Sequence, residues 1–443
     1  MTSDAKFTRG STMRHVVVMT LTGALGLTFM FLVEAVTLFW VAQLGDDRLM
    51  AALGFAWTVI FFLISFGIGL SIAATTLVSR ALGQGDGDAA RKAASGALAI
   101  SFGLLGAISL VVFLFRDAIL GLAGAEGETL ALAGRFLAIT VPSMPFLAVG
   151  MTGGAVLRAR GDAWRAMSVT LGAGVVAMVL DPLLIFGLGM GFDGAAWATA
   201  VARSCIGLLA LHYLINVHRM LVPVRLPEVR DLSRPFFAIA LPATATQLST
   251  PFGNYLLTAL VAQHGDGAVA GWAVVTRLSV LAFGGIFALS GAIGGIIGQN
   301  YGAGLLDRVR CTFRDALVFC TIYTGLAWAI LFALRDTIVV AFGLGPEGAA
   351  VVHAFVGIAA GGFVFTGALF CANAAFNTLG KPLRSTAFNW SRDGLVLFPM
   401  AWALSQPLGA PGVIYGQAAA GVLVGAVAVW AAWRFVTGLD STA

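Results

Sequence analysis

The 443-residue sequence predicts an all-α polytopic membrane protein, with twelve transmembrane helices in two six-helix lobes. Three observations carry that expectation. Hydrophobic residues make up 59% of the chain and charged residues only 11%, against about a quarter charged in an ordinary soluble domain. The mean hydropathy of +0.93 reflects repeated apolar runs, many of them near the roughly 20 residues a helix needs to cross the hydrocarbon core. The chain also repeats itself at an offset near 219 residues.

The spans follow from cutting the chain where charges, Gly and Pro interrupt the apolar runs. The first, 15–43, is too long for the ~7–15-residue core of a signal peptide and reads as a retained span. It closes at Leu44, Gly45 and Asp46; the second, 50–79, closes at Arg80. The third, 93–115, lies between Lys92 and Arg116, and the fourth, 129–152, stops short of Arg158. The fifth, 166–190, begins after Arg165 and contains Asp181 and Pro182; the sixth is 194–217. Residues 218–235, with Pro223, Pro227, Pro235 and four arginines, read as a cytoplasmic linker. The second set is 236–263, 268–297, 311–334, 349–376, 386–406 and 411–434.

With a cytoplasmic N-terminus, the termini and even-numbered connections hold nineteen Lys and Arg, and the opposite loops hold three: Arg48, Arg116 and Arg335. By the positive-inside rule both termini are expected in the cytoplasm, as a multi-pass protein of the inner membrane.

The repeat is legible in four places. VAQLGD at 41–46 returns as VAQHGD at 261–266, and LGQGDGDAAR at 82–91 as YGAGLLDRVR at 301–310. LRARGDAWR at 157–165 matches FNTLGKPLR at 376–384, and GAAWATA at 194–200 matches GVIYGQA at 412–418. An even number of spans per copy keeps both copies in one orientation, so a pseudo-two-fold axis along the membrane normal is expected. The expected lobes are residues 1–217 and 236–443. Such duplication points to a transporter more than to an enzyme.

The repeated segments also carry a family resemblance. DPLLIFGLGMGFDGAAWATAVAR at 181–203, GQNYGAGLLDRVR at 298–310 and the VAQLGD and VAQHGD span ends resemble the multidrug and toxic compound extrusion (MATE) family. The resemblance implies a secondary active exporter of lipophilic, often cationic compounds, working by alternating access in exchange for protons or sodium.

Two carboxylates fall inside the expected spans of the first half, Glu34 and Asp181. An ionisable side chain at bilayer depth costs about 2.5–3.5 kcal/mol on insertion scales, so each is a functional candidate. Asp181 matches the family's fifth-span coupling aspartate, and Thr199 falls where members often carry a hydroxyl. The family's usual first-span aspartate falls on Thr37; Glu34, three residues earlier, shares its helix face and is expected to reach the same pocket. Other readings stay open: Asp181 serving a kink at Pro182, Glu34 pairing with Arg203, and Thr199 bonding its own helix. Ala177 stands where some members have an asparagine, which favours proton over sodium.

The seventh and tenth expected spans hold no carboxylate, and Asp393 beside Arg392 reads as a local ion pair near a cytoplasmic end. Coupling is therefore expected in the N-terminal lobe, a pattern similar to the family's DNA-damage-inducible, proton-coupled branch. Trp57, Phe252, Asn254, Tyr255 and Trp272 lie on the first two spans of each half, which the resemblance makes cleft-lining helices. Cation–π and apolar contact suit lipophilic cations.

Other function classes fit less well. A lipid-linked saccharide flippase of the same superfamily would want a basic cleft, but Arg135, Arg203, Arg277 and Arg392 are scattered. An enzyme is not expected, because no nucleophile with a base and no metal cluster is recognisable. The basic balance, net +5, forms no patch with interleaved aromatics, so nucleic acid is not an expected partner. Four cysteines without CxxC spacing predict neither a metal site nor a disulfide framework. The expected partners are small-molecule substrates and membrane lipid, with no cofactor beyond the coupling ion and the chain acting as a monomer.

Overall fold

The computed structural model describes residues 5–439, and among them it is helical throughout, without strands. The first half comprises α1 (Thr12–Ala42), α2 (Asp47–Gly83), α3 (Gly87–Leu122), α4 (Gly127–Thr140), α5 (Met144–Arg160), α6 (Ala163–Pro182) and α7 (Phe192–His212). The second comprises α8 (Leu226–Ala262), α9 (Asp266–Gly302), α10 (Leu306–Ala333), α11 (Arg335–Ala341), α12 (Pro346–Gly357), α13 (Phe363–Thr378), α14 (Pro382–Trp390), α15 (Leu397–Leu408) and α16 (Ala410–Thr437). Ten helical segments among the described residues are long and apolar enough to cross a membrane. The other two expected spans are helical but more polar: α8, with Thr244, Thr246, Gln247, Ser249, Thr250 and Asn254 in its middle, and the α14–α15 segment, which carries Arg392 and Asp393.

Several spans are built from joined pieces, each with a local cause. The fourth turns through a short 3-10 stretch, Val141–Ser143, containing Pro142, which supplies no backbone N–H. The fifth widens into a π-helical turn, Leu183–Gly187, directly after Pro182. The tenth is broken between α12 and α13 by Ala359–Gly362, where paired glycines weaken the helix. Many large apolar side chains face outward, among them Leu25, Phe62, Leu110 and Leu326. A soluble monomer rarely exposes that much apolar surface, and hydrocarbon is its natural cover.

The internal repeat is also written in the backbone. Left-handed glycines recur in pairs, Gly45 with Gly265, Gly161 with Gly380 and Gly191 with Gly409, at offsets of 220, 219 and 218. Each ends or begins a helix in a conformation that L side chains rarely adopt.

The chain divides into two compact units whose boundaries differ from those expected. Residues 25–244 form one unit; residues 5–24 group with residue 245 onward in the other. Packing explains the difference. Within the second unit, Phe7 is 1% exposed; its backbone N–H donates to Gln299 Oε1 at 2.8 Å, and its carbonyl accepts from Arg308 Nη2 at 2.8 Å. Thr12 adds a 2.5 Å hydrogen bond to Asp315. Gln299, Arg308 and Asp315 thus hold the chain at the start of α1. Within the first unit, Phe236, Ile239 and Ala240 at the start of α8 are buried against Leu70, Ala73, Ala74 and Ile100. The expected linker, 218–235, is therefore partly helix: it enters α8 at Leu226, and Glu228 pairs with Lys92 at 3.2 Å.

Candidate functional site

In the first unit, α1 and α6 approach closely because Gly174 has no side chain. A Cβ there would stand 2.6 Å from the ring of Phe29 and 3.0 Å from Val33. Val33, Ala177 and Ala202 form a small buried cluster with Phe29 and Met178, joining α1, α6 and α7. About two turns further along both helices, Asp181 is 1% exposed and Thr37 is 8% exposed. Thr37 Oγ1 donates to Asp181 Oδ2 at 2.5 Å and also lies 3.2 Å from the Val33 carbonyl. A hydroxyl has one proton, so it can serve one of these acceptors at a time. Asp181 Oδ1 is buried without a hydrogen-bond partner.

Pro182 and the π-helical turn after it hold the carboxylate in place. The turn packs under the start of α7, where a Cβ on Gly194 would stand 2.7 Å from the backbone of Leu184 and Ile185. Only glycine admits that approach.

The other sequence candidates fall differently. Thr37 supplies the hydrogen bond to Asp181, whereas Glu34, half-buried one turn earlier, stands in the electrostatic field of Arg203. Arg203 is 6% exposed and its Nη1 has no hydrogen-bond partner. Glu34 and Arg203 thus follow Val33 and Ala202 in sequence, two residues of one buried cluster, close enough for their charges to interact. Thr199 Oγ1 donates to the Ala195 carbonyl of its own helix at 2.9 Å.

The five aromatic and amide candidates do not share one environment. Trp57 is half-buried against the core of the first unit. Trp272 is 7% exposed in the second unit, and its indole donates to Thr258 Oγ1 at 3.0 Å, so it packs rather than presenting an open face. Phe252, Asn254 and Tyr255 are exposed on α8, with Phe252 against the ring of Trp390.

One polar cluster departs from expectation. Arg392 and Asp393 are both buried, in the π-helical segment Ser391–Val396, and Ser249 Oγ donates to Asp393 Oδ2 at 2.9 Å. The expected local ion pair is present, with Arg392 Nε 2.7 Å from Asp393 Oδ1, but it lies in the interior of its unit and is joined there by Ser249. An Arg-Asp step inside an apolar run was the available signal, but adjacency made it look self-contained.

The MatE family profile matches residues 24–183 and 242–403, taking in both halves of the repeat. The chain is 27% identical over 411 residues to a protein named FAD transporter from Shewanella oneidensis, covering 91% of this chain and 90% of that one. It is 24% identical over 412 residues to YpnP of Bacillus subtilis, named a probable multidrug resistance protein, covering 93% and 92%. The outward-facing structure of a multidrug resistance MATE family transporter superposes with a TM-score of 0.93 at 21% identity, over the whole of both chains. Matched across both repeats, and folded alike from end to end, this multi-span membrane protein belongs to the MatE family of transporters and is not an enzyme.

Proposed function

We propose that the chain is a secondary active exporter coupled to an inward flow of cations, with Asp181 as the coupling group and the proton as the coupling ion. One observation carries this reading: Asp181 is buried at span depth with one oxygen bonded to Thr37 and the other without a partner. An acid held at that depth is a functional group by default. The hydrogen bonds allow two states. With Asp181 ionised, the Thr37 hydroxyl donates to it; with Asp181 protonated, the carboxyl can donate to Thr37 Oγ1 while Thr37 turns its own proton to the Val33 carbonyl. The switch is local, and its charge change biases how α1 and α6 pack.

Sodium would need several oxygen ligands. Ala177, one turn before Asp181, offers no side-chain oxygen, and that supports the proton. The absence of carboxylates from expected spans 236–263 and 349–376 supports placement in the DNA-damage-inducible, proton-coupled branch.

For the cargo, the name of YpnP, a probable multidrug resistance protein, supports drugs; that these are lipophilic and often cationic is what the family resemblance implies. The near-full-length match to a protein named FAD transporter favours a second reading, export of an anionic aromatic cofactor. Reconstitution into proteoliposomes tests both. A proton gradient and a sodium gradient are imposed separately, with a lipophilic cation and FAD as alternative cargoes. Proton-driven transport that Asp181→Asn abolishes is the expected result. Full gradient-driven transport by Asp181→Asn would overturn the assignment.

A further inference from the structure

The second unit holds a buried carboxylate built like the first. Ser249 to Asp393 spans 144 residues, the same separation as Thr37 to Asp181, and in each pair a hydroxyl donates to a carboxylate Oδ2. Both partners lie 212 residues after their counterparts, whereas the left-handed glycines recur at 218–220. The second pair is therefore displaced by about seven residues on both helices at once, two turns or roughly 10 Å, which preserves the helix face. A shift on one helix alone would have separated the partners. The seam is the same one, first helix against fifth span, used nearer the N-terminal ends.

What differs is the charge balance. Arg392 Nε donates to Asp393 Oδ1 at 2.7 Å and Nη2 to Oδ2 at 2.9 Å, so both carboxylate oxygens are engaged. Asp181 Oδ1, by contrast, has no partner. From α8 the neighbours of Asp393 are Ser249 and Gly253, where a Cβ would stand 3.1 Å from that of Asp393. Neither is ionisable. Of the other elements packed on this segment, α15 carries no charge, α14 carries Arg384, stacked over Phe376 and Phe435, and α16 carries only Tyr415 and Arg434. The seam is held by a Thr246–Thr386 hydroxyl contact at 3.1 Å and by the Trp390 indole donating to the Ala245 carbonyl at 2.9 Å.

We propose that Ser249 and Asp393 form a second monovalent-cation site on the repeated seam, and that the Arg392 guanidinium stands permanently in the cation's place, leaving Asp181 as the single exchanging site. The proposal rests on Asp181 being the coupling carboxylate. A guanidinium does not deprotonate, matches a carboxylate with two parallel hydrogen bonds, and here is tethered to the neighbouring residue. Separating such a pair in a buried setting is costly. Arg392 is therefore the residue that sets the number of cations exchanged per cycle.

The full-length transporter tests this by counting protons taken up between pH about 8 and about 5, and by isotopic sodium binding. Arg392→Gln should gain one bound cation per chain, a proton or a sodium ion as the two assays distinguish, and Arg392→Gln with Asp393→Asn should return to the wild-type count. The gain should persist when Asp181→Asn is added. A wild-type count that Asp181→Asn leaves unchanged would defeat the Asp181 reading, and with it the single-site count, whereas the gain in Arg392→Gln tests the occupied second site by itself. No added cation in Arg392→Gln overturns the proposal. If that variant does not fold, the charge-neutral double variant decides: an unchanged cation-to-cargo ratio supports the proposal, and an altered ratio overturns it.

Discussion

The Thr37 hydroxyl on α1 donates to Asp181 on α6 across 2.5 Å. A neutral donor thus stands beside Asp181. Hydrogen bonds to charged groups contribute about 1.5–3 kcal/mol. Thr37→Val keeps the volume and removes the donor, so coupled transport should fall by roughly tenfold or more and its pH profile should be displaced. Thr37→Ser should restore both. Equal transport and pH profiles in the Val and Ser variants would mean the hydroxyl only packs.

Glu34 and Arg203 are expected to behave as a pair. Neutralising either alone leaves a charge in a largely buried setting, whereas neutralising both removes the imbalance. Glu34→Gln and Arg203→Gln should each lower the unfolding temperature in detergent, and the double variant should recover part of the loss. A coupling free energy of about 1–3 kcal/mol is expected from the cycle. If Glu34→Gln instead removes the pH dependence of transport, Glu34 shares the coupling with Asp181.

The spans were legible because bilayer depth imposes long apolar runs, and Asp181 was legible because it interrupts one. Other features needed three dimensions. Trp272 sits on an expected cleft helix but turns inward to Thr258, and a span that is apolar all round carries no signal of which side a given aromatic takes. Asp393 looked finished by Arg392, so its bond to Ser249, 144 residues away, was hidden. The grouping of residues 5–24 with the second unit depends on Gln299 and Arg308 meeting Phe7, a tertiary choice that local composition does not encode.

The orientation expected from the basic residues is open to direct measurement. Cys205 and Cys311 are partly exposed, so they are first replaced by serine. Asp193→Cys and Asp266→Cys should then react with an impermeant thiol reagent added outside cells, and Glu228→Cys should not. The opposite pattern would reverse the membrane orientation.

A final expectation concerns pH and stability at the turn between the fourth and fifth spans. His218 Nε2 lies 2.8 Å from Asp162 Oδ2, and Arg165 Nη1 donates to the same oxygen at 2.6 Å. Burial holds His218 below its ordinary value of 6.5 despite the Asp162 hydrogen bond, and Arg160 and Arg165 add repulsion. Burial works in the opposite direction on Asp162, but its hydrogen bonds from Arg165 and His218 outweigh that and hold it below 3.8. Both depressed values have one sign: the folded state binds fewer protons than the unfolded chain. The His218 contribution is complete above pH 6.5 and is lost as pH falls through its folded value. The Asp162 contribution persists until below pH 3.8. Thermal unfolding in detergent should therefore show stability declining on acidification from about pH 7 to about pH 5, with His218→Gln flattening that slope. Loss below pH about 4 should remain in His218→Gln, since Asp162 keeps Arg165. A slope identical in the variant and the wild type would assign the decline to other groups.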